Sequence, residues 1–317
     1  MSTKESVETS ALRVAVMGAG AVGCYFGGML ARAGVPVTLI GRTPLVDAVN
    51  RSGLLLDSIN FQERIAMAAT TELAALNAVD LVLVCVKTLD TENAARALAP
   101  HLARHAVVMS LQNGVDNVAR IHSATGLEAI PAVVYVAVEM IAPGHVRHTG
   151  RGDLIIGERG QAARALEKIV ALFTRAGVPC VVSKNIAVDL WTKLIINCAY
   201  NAISALGRNA RYGKMVRHDL TRAVMMQTVN EALAVAQAEG VHFPNLDLIE
   251  VSLRLAEKME HATSSTAQDL ARGKRTEIDA LNGYIVQRGA ALGVATPVNQ
   301  TLYALVKLLE ETTASML

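Results

Sequence analysis

The stretch that most constrains this chain is LRVAVMGAGAVGCYFGGMLARAG, residues 12–34. An unbroken apolar run stops at glycines, as a strand buried on both faces of a parallel sheet does. The next segment, AVGCYFGGMLARAG, has helical character and ends at Gly34, a natural place for a terminating glycine. Gly18, Gly20 and Gly23 are spaced G-x-G-x-x-G. Between a strand and a helix, that spacing signals dinucleotide binding rather than a casual glycine-rich turn. Gly18 permits the tight turn, Gly20 lets the backbone approach a pyrophosphate, and Gly23 lets helix and strand lie close. Gly27, on the same helix face as Gly23, extends the close packing. The loop Gly18-Ala19-Gly20-Ala21-Val22-Gly23 is therefore the expected cofactor-binding segment, with the N–H groups of the helix N-terminus turned to the anion.

The usual companion of such a loop is missing. An NAD site carries Asp or Glu about 20 residues on, at the end of the second strand, to accept from the ribose 2′-hydroxyl. Here VTLI is followed by Gly41-Arg42. A guanidinium suits a 2′-phosphate, which points to NADP(H). The alternative is an ordinary surface arginine.

The rest of the N-terminal half alternates strand and helix signals. VPVTLIG, VDLVLVCVK (Val79–Lys87), AVVMSLQNG and AIPAVVYVAV read as strands, ERIAMAAT as a weaker one, and TENAARALAPHL as helix. HVRHTGRGDLIIG resembles a late strand pair near the sheet edge. Alternation of this kind means βαβ units and a doubly wound parallel sheet. Lys87 and Asn113 fall at expected strand ends, where such sheets present ligands. Lys87 could serve the phosphates or the substrate, and Asn113 the nicotinamide ribose, unless both are turn residues.

After Pro179 the texture becomes helical, with a boundary expected within 183–187. Asp219–Glu239, Leu246–His261 and Ser265–Leu292 are expected helices, the last open to interruption at Gly273 and Gly283. Thr296-Pro297 makes an N-cap and first-turn pair for a final helix. The expected architecture is a flexible tail, 1–12, a Rossmann-type domain, 13–184, and an all-α C-terminal domain, 185–317.

Composition agrees. Of 317 residues, 52% are hydrophobic and 18% charged, which excludes a disordered chain. A net charge of +2 without a basic block gives no nucleic-acid footprint. The uncharged run Val14–Ala31 reaches membrane length, but its glycines and strand–turn–helix pattern argue against a span. The start lacks the apolar core of a signal peptide. Cys24, Cys85, Cys180 and Cys198 form no C-x-x-C pair and read as buried thiols in a reducing compartment. No metal site is expected.

DLWTKLIINCAYNAISAL holds the chemistry-bearing residues of the helical half. Lys193, Asn197 and Asn201 are spaced i, i+4, i+8 and drift only ~40° per step, so they share a narrow polar stripe on an otherwise apolar helix. The stripe faces either a cleft or a thin strip of solvent. In a cleft, partial burial makes a lysine a ready proton donor. Ser265 and Glu277, twelve residues apart, would stand more than ~100° apart on one unbroken helix. They converge only if Ser265 begins the helix or the helix bends near Gly273; by spacing alone, Glu277 reads as a surface carboxylate.

GAGAVG, CVK, QNG, WTKLIINCAYN and SSTAQD followed by RTEID..NG, in this order, resemble the ketopantoate reductase (2-dehydropantoate 2-reductase) family over nearly the whole length after residue 12. The resemblance implies an NADPH-dependent oxidoreductase of pantothenate biosynthesis, reducing ketopantoate to (R)-pantoate. It implies Lys193 as general acid on the ketone oxygen and Glu277 as the carboxylate that binds the nascent hydroxyl. It implies Asn197, Asn201 and Ser265 as substrate-binding, Lys87 and Asn113 as cofactor- and substrate-side residues, and Arg42 as linked to the 2′-phosphate. It also implies a cytoplasmic enzyme acting on a small molecule, with room for a homodimer. Ala262 stands where the family often has a substrate-touching asparagine, and Thr266 replaces a frequent methionine, which weakens the implication of ketopantoate itself. A reductase of another 2-oxo or 2-hydroxy acid is the first alternative. A non-catalytic NADP sensor is the second, but it has no need of Lys193 and Glu277.

Overall fold

The structure is a computed structural model, which describes residues 12–158, 163–244 and 246–314. The expected tail lies outside these residues except for Leu12, which packs on the core. The chain divides into two units, one of Met1–Gln112 with Asn117–Lys184, the other of Asn113–Asp116 with Asn185–Leu317.

The first unit is built on β1 (Val14–Met17), α1 (Ala21–Arg32), β2 (Val37–Ile40), α2 (Thr43–Ser52), β3 (Leu54–Ser58), β4 (Phe61–Ile65) and β5 (Ala68–Thr70). It continues with β6 (Leu81–Val84), α3 (Thr91–Leu98), β7 (Val107–Ser110), α4 (Asn117–Thr125), β8 (Ala129–Ala142), β9 (His145–Ile156), α5 (Ala163–Arg175) and β10 (Cys180–Val182). Strands β5-β2-β1-β6-β7-β8 run parallel in that order. Alternate residues feed two cores: Val14, Val16, Leu39 and Leu83 enter one, Ala15, Ile40, Val82 and Val84 the other. Burial on both faces explains why these strands read as continuous apolar runs.

The sheet is mixed beyond that point. β8 turns back into β9 as a long antiparallel hairpin, and β9 also pairs in parallel with β3 and β10. The expected strand pair at the edge is therefore one long strand inside the sheet. Pairing partners are non-local and leave no mark on the periodicity of HVRHTGRGDLIIG. ERIAMAAT splits between β4 and β5. The strand expected over Val79–Lys87 is only Leu81–Val84, since Asp80 N–H turns to Arg13 C=O, 2.8 Å, and Lys87 opens a 3₁₀ turn at Thr88–Asp90.

The second unit surrounds α6 (Ile186–Leu206) with α7 (Tyr212–Arg217), α8 (Asp219–Ala238), α9 (Leu248–Lys258), α10 (Ser265–Ala271), α11 (Asn282–Leu292) and α12 (Pro297–Ala314). Side chains of α6 enter two clusters, Trp191, Leu194, Ile195 and Cys198 in one, Ala202 and Ala205 in the other. Ser265–Leu292 breaks into α10 and α11 where Gly273 takes a left-handed φ of 62°, open to glycine at little cost. Gly283, the other expected break, lies inside α11. No described helix is long and apolar enough to cross a membrane.

The strand–loop–helix unit depends on the missing side chain of Gly23 but not on that of Gly20. A Cβ on Gly23 would lie 2.4 Å from Gly18 O and 2.8 Å from Val16 Cγ1, whereas one on Gly20 would meet nothing within 4 Å. Gly23→Ala should therefore destabilise the protein by about 1–3 kcal/mol, the usual range for overpacking, while Gly20→Ala leaves stability unchanged. Thermal denaturation of the two variants checks this; equal Tm values would show that the loop relaxes around the methyl group.

Candidate active site

In the first unit, the glycine loop leaves α1 with an open N-terminus. Its first helical hydrogen bond is Cys24 N–H to Gly20 C=O, 2.9 Å, so the N–H groups of Ala21, Val22 and Gly23 precede the ladder. No side chain caps this end and no acidic residue stands in the first turn. Gly20 is exposed. These residues fit a dinucleotide pyrophosphate, which needs close backbone approach and no competing carboxylate.

Packing explains the missing acid. A Cβ on Gly41 would lie 2.9 Å from Ala19 Cβ and 3.1 Å from Leu45 Cδ2. The residue that follows β2 thus abuts the glycine loop and is closed to side chains. Arg42 follows as the exposed N-cap residue of α2 and pairs with no carboxylate among the described residues.

The segment after β6 is held from behind by buried amides and hydroxyls. Gln112 Nε2 donates to Val86 C=O, 3.0 Å, and to Thr91 Oγ1, 2.7 Å; Ser110 Oγ donates to Gln112 Oε1, 2.9 Å; Thr91 Oγ1 donates to Asn117 Oδ1, 2.9 Å. Half-buried Lys87 lies just beyond this anchor. Sequence reasoning missed the network, whose one local signal is a glutamine directly before Asn113 at the end of an apolar strand.

In the second unit, three predicted residues come together. Lys193 Nζ donates to Asn113 Oδ1, 2.8 Å, and Asn113 Nδ2 donates to Glu277 Oε2, 3.0 Å. The three side chains are partly buried. Lys193 comes from the middle of α6. Asn113 comes from the short segment Asn113–Asp116, whose Val115 packs into the helical core. Glu277 lies off any α-helix, at the start of the 3₁₀ turn Ile278–Ala280. Both conditions for bringing Ser265 and Glu277 off a common helix are met: Ser265 is the first residue of α10, and the helix ends before Gly273.

The other end of the polar stripe has a different task. Asn201 is buried, and its Oδ1 accepts from Ser265 Oγ, Thr266 N–H and Thr266 Oγ1 at 3.1, 3.3 and 3.0 Å. Its Nδ2 donates to Asn197 C=O, 3.0 Å. Asn201 thus ties the start of α10 to α6 and orients the exposed hydroxyl of Ser265. Ser264, not Ser265, caps α10, accepting from Ala267 N–H at 3.1 Å. Thr266, noted in the sequence only as a departure, is a working part of this knot. Asn197 is half-buried, one turn before Asn201, and Ala262 accepts from Tyr212 N–H in the loop before α10, 3.0 Å. Among the described residues, no cluster of His, Cys, Asp or Glu is arranged to hold a metal.

Asn201→Ala strands the buried Thr266 N–H and should cost about 1–3 kcal/mol, the penalty of an unsatisfied buried donor. Chemical denaturation measures this directly. An unchanged midpoint would mean that α10 keeps its place without the amide.

Comparison with known proteins places the chain in a family. Residues 14–161 match the family model described as ketopantoate reductase PanE/ApbA, and residues 185–310 its C-terminal counterpart. A 2-dehydropantoate 2-reductase from Pyrococcus abyssi is 35% identical over 300 residues, covering 93% of this chain and 97% of the relative. The crystal structure of a PanE/ApbA family ketopantoate reductase from Ralstonia eutropha JMP134 is 51% identical, with a TM-score of 0.89, covering 95% of this chain and 99% of that one. D-mandelate dehydrogenase, solved with NADH and anilino(oxo)acetate, has a TM-score of 0.89 at 23% identity over 95% of this chain and 99% of that one, a likeness of fold alone. With both of its halves matched and a relative at this identity aligned along nearly its whole length, the chain belongs to the ketopantoate reductase family.

Proposed function

We propose that this chain catalyses the NADPH-dependent reduction of 2-dehydropantoate to (R)-pantoate, with residues 13–184 binding the dinucleotide and residues 185–317 carrying the substrate chemistry. The observation that carries this reading is the line Lys193–Asn113–Glu277, with its ammonium 2.8 Å and its carboxylate 3.0 Å from one amide. When bound, the dinucleotide supplies a hydride to the carbonyl carbon of the oxo acid. The carbonyl oxygen then becomes an alkoxide, too basic to persist without a proton. Lys193 donates that proton from Nζ, and the resulting amine regains one from solvent. Asn113 fixes the position of Nζ, and Glu277 receives the new hydroxyl as a hydrogen-bond acceptor. Ser265, held by Asn201, donates to the substrate carboxylate, and Asn197 contributes a polar contact from the same helix face. Gly18–Gly23 cradle the pyrophosphate, with Lys87 adding positive charge. In the same reading the enzyme works in the cytoplasm on a small soluble substrate.

Arg42 is assigned to the 2′-phosphate, supported by the closed position at Gly41 and by the absence of a carboxylate partner among the described residues. A charge-assisted contact of this kind is lost with the side chain. Arg42→Ala should raise KM for NADPH and barely change KM for NADH; an unmodified enzyme that uses both cofactors equally well would overturn this assignment.

A positioned general acid contributes roughly 10²–10⁴-fold to rate. Lys193→Met, which keeps bulk and removes the proton, should lower kcat by about that factor and leave NADPH affinity unchanged. Steady-state turnover with ketopantoate, alongside a fluorescence titration of NADPH, separates the two effects. Near-normal turnover by a folded, NADPH-binding Lys193→Met protein would falsify the role given to the lysine.

A further inference from the structure

We infer that the C-terminal helix α12 positions Glu277 through a charge clamp centred on Lys307, an inference that rests on reading Glu277 as an active-site carboxylate. The segment from 272 to 281 bears Glu277 and has no regular structure beyond one 3₁₀ turn. It needs support from outside, and α12 provides it on both sides of Glu277. On the N-terminal side, Thr276 N–H donates to Glu310 Oε1, 2.6 Å. On the C-terminal side, Tyr303 O–H donates to Asp279 Oδ1, 2.6 Å. Lys307 Nζ joins the two carboxylates, 2.8 Å from Glu310 Oε2 and 3.2 Å from Asp279 Oδ2. Tyr303, Lys307 and Glu310 are spaced i, i+4, i+7, so they share one face of α12.

The residues after Glu277 complete the seat. A Cβ on Gly283 would lie 2.9 Å from the Tyr303 ring, so the glycine makes room for the tyrosine that reaches Asp279. Buried Asn282 donates to Asn299 Oδ1, 2.9 Å, and to Cys198 C=O, 3.2 Å, tying the same segment to α12 and α6. The RTEID..NG motif is thus largely an attachment device for its one glutamate. Lys307 and Glu310 each favour the charged form of the other. Burial alone would raise the Glu310 carboxyl, but Lys307 and the Thr276 N–H outweigh it and hold the group below its ordinary value. Burial would likewise lower the Lys307 ammonium, but Glu310 and Asp279 hold it above. Without the lysine, two poorly exposed carboxylates repel each other across the segment that carries Glu277, and Arg275, 3.7 Å from Asp279 Oδ2, answers Asp279 but not Glu310.

Tyr303, Lys307, Asp279 and Glu310 are positioning residues, and their effect must pass through Glu277. A misplacement of about 1 Å costs on the order of 10²-fold in rate. Lys307→Met should lower kcat by roughly 10- to 100-fold with NADPH affinity unchanged, and Lys307→Arg should restore most of the loss. In a Glu277→Gln background, Lys307→Met should add little further loss. Hydrogen exchange at the Thr276 amide should quicken in Lys307→Met. Glu310→Gln keeps an acceptor for Thr276 while removing the charge, and should show the same pattern more weakly should Lys307→Met fold poorly. Losses that multiply independently of Glu277, a parallel loss of NADPH binding, or unchanged kcat despite faster exchange would each overturn the inference. Lack of 2-oxo acid turnover by the unmodified chain would instead overturn the functional reading, and the exchange rate of Thr276 would still decide whether the clamp exists.

Discussion

The amide of Asn113 stands between an ammonium and a carboxylate, accepting from Lys193 and donating to Glu277. The bridge matters because it fixes an ammonium and a carboxylate in place on either side of one amide. An amide can satisfy both partners at once, since it carries an acceptor and two donors in one plane. The arrangement makes strict demands on the chain. Asn113 must leave the sheet strand β7 and pack with the helical unit, Lys193 must come from a helix stiff enough to fix its stem, and Glu277 must be free of helical geometry. Each demand is met by an identifiable feature: Val115 in the helical core, the buried faces of α6, and the break at Gly273.

The stripe on α6 shows how one face of a helix can divide its labour. Lys193 and Asn197 are half-buried, whereas Asn201 is almost fully buried. A buried amide must find partners or pay a large desolvation cost. Asn201 finds them in Ser265, Thr266 and the carbonyl of Asn197. It therefore acts on any ligand of this surface through Ser265, whose exposed hydroxyl it orients.

Elements with a strong local period were legible in the sequence. Strand β1, helix α1, strand β2 and helix α6 follow from apolar runs, glycine stops and the 3.6-residue stripe, and Gly34 and Gly240 end their helices with φ near 82°. Elements fixed by partners elsewhere were not. Short β10 exists because β9 supplies its hydrogen bonds, and β3 because it lies between β9 and β4. Helix α7, six residues long, is too brief for a period to emerge. The site divided the same way. Gly18–Gly23, Lys193 and Asn201 announce themselves by spacing. The meeting of Asn113 with Lys193, across 80 positions, and with Glu277, across 164, does not. The family resemblance, not the spacing, picked out Glu277, because its position depends on a helix break and on α12.

The two units specify their functional surfaces by opposite means. In the first, what matters is the side chains that are absent. Gly23 lets Gly18 O sit where a methyl would be, Gly20 leaves the helix end open, and Gly41 lets Ala19 close over the end of β2. Steric specification of this kind is rigid, because backbone atoms cannot yield as side chains can. It suits the binding of a pyrophosphate by N–H groups whose positions must not vary. In the second unit, what matters is the hydrogen bonds that are present: Asn201 to α10, Glu310 to Thr276, Asn113 between lysine and carboxylate. Polar links can be tuned residue by residue. A change such as alanine at 262 can then alter one contact near α10 while Lys193, Asn113 and Glu277 stay in line, so variation in what the helical unit recognises need not disturb the groups that move the proton.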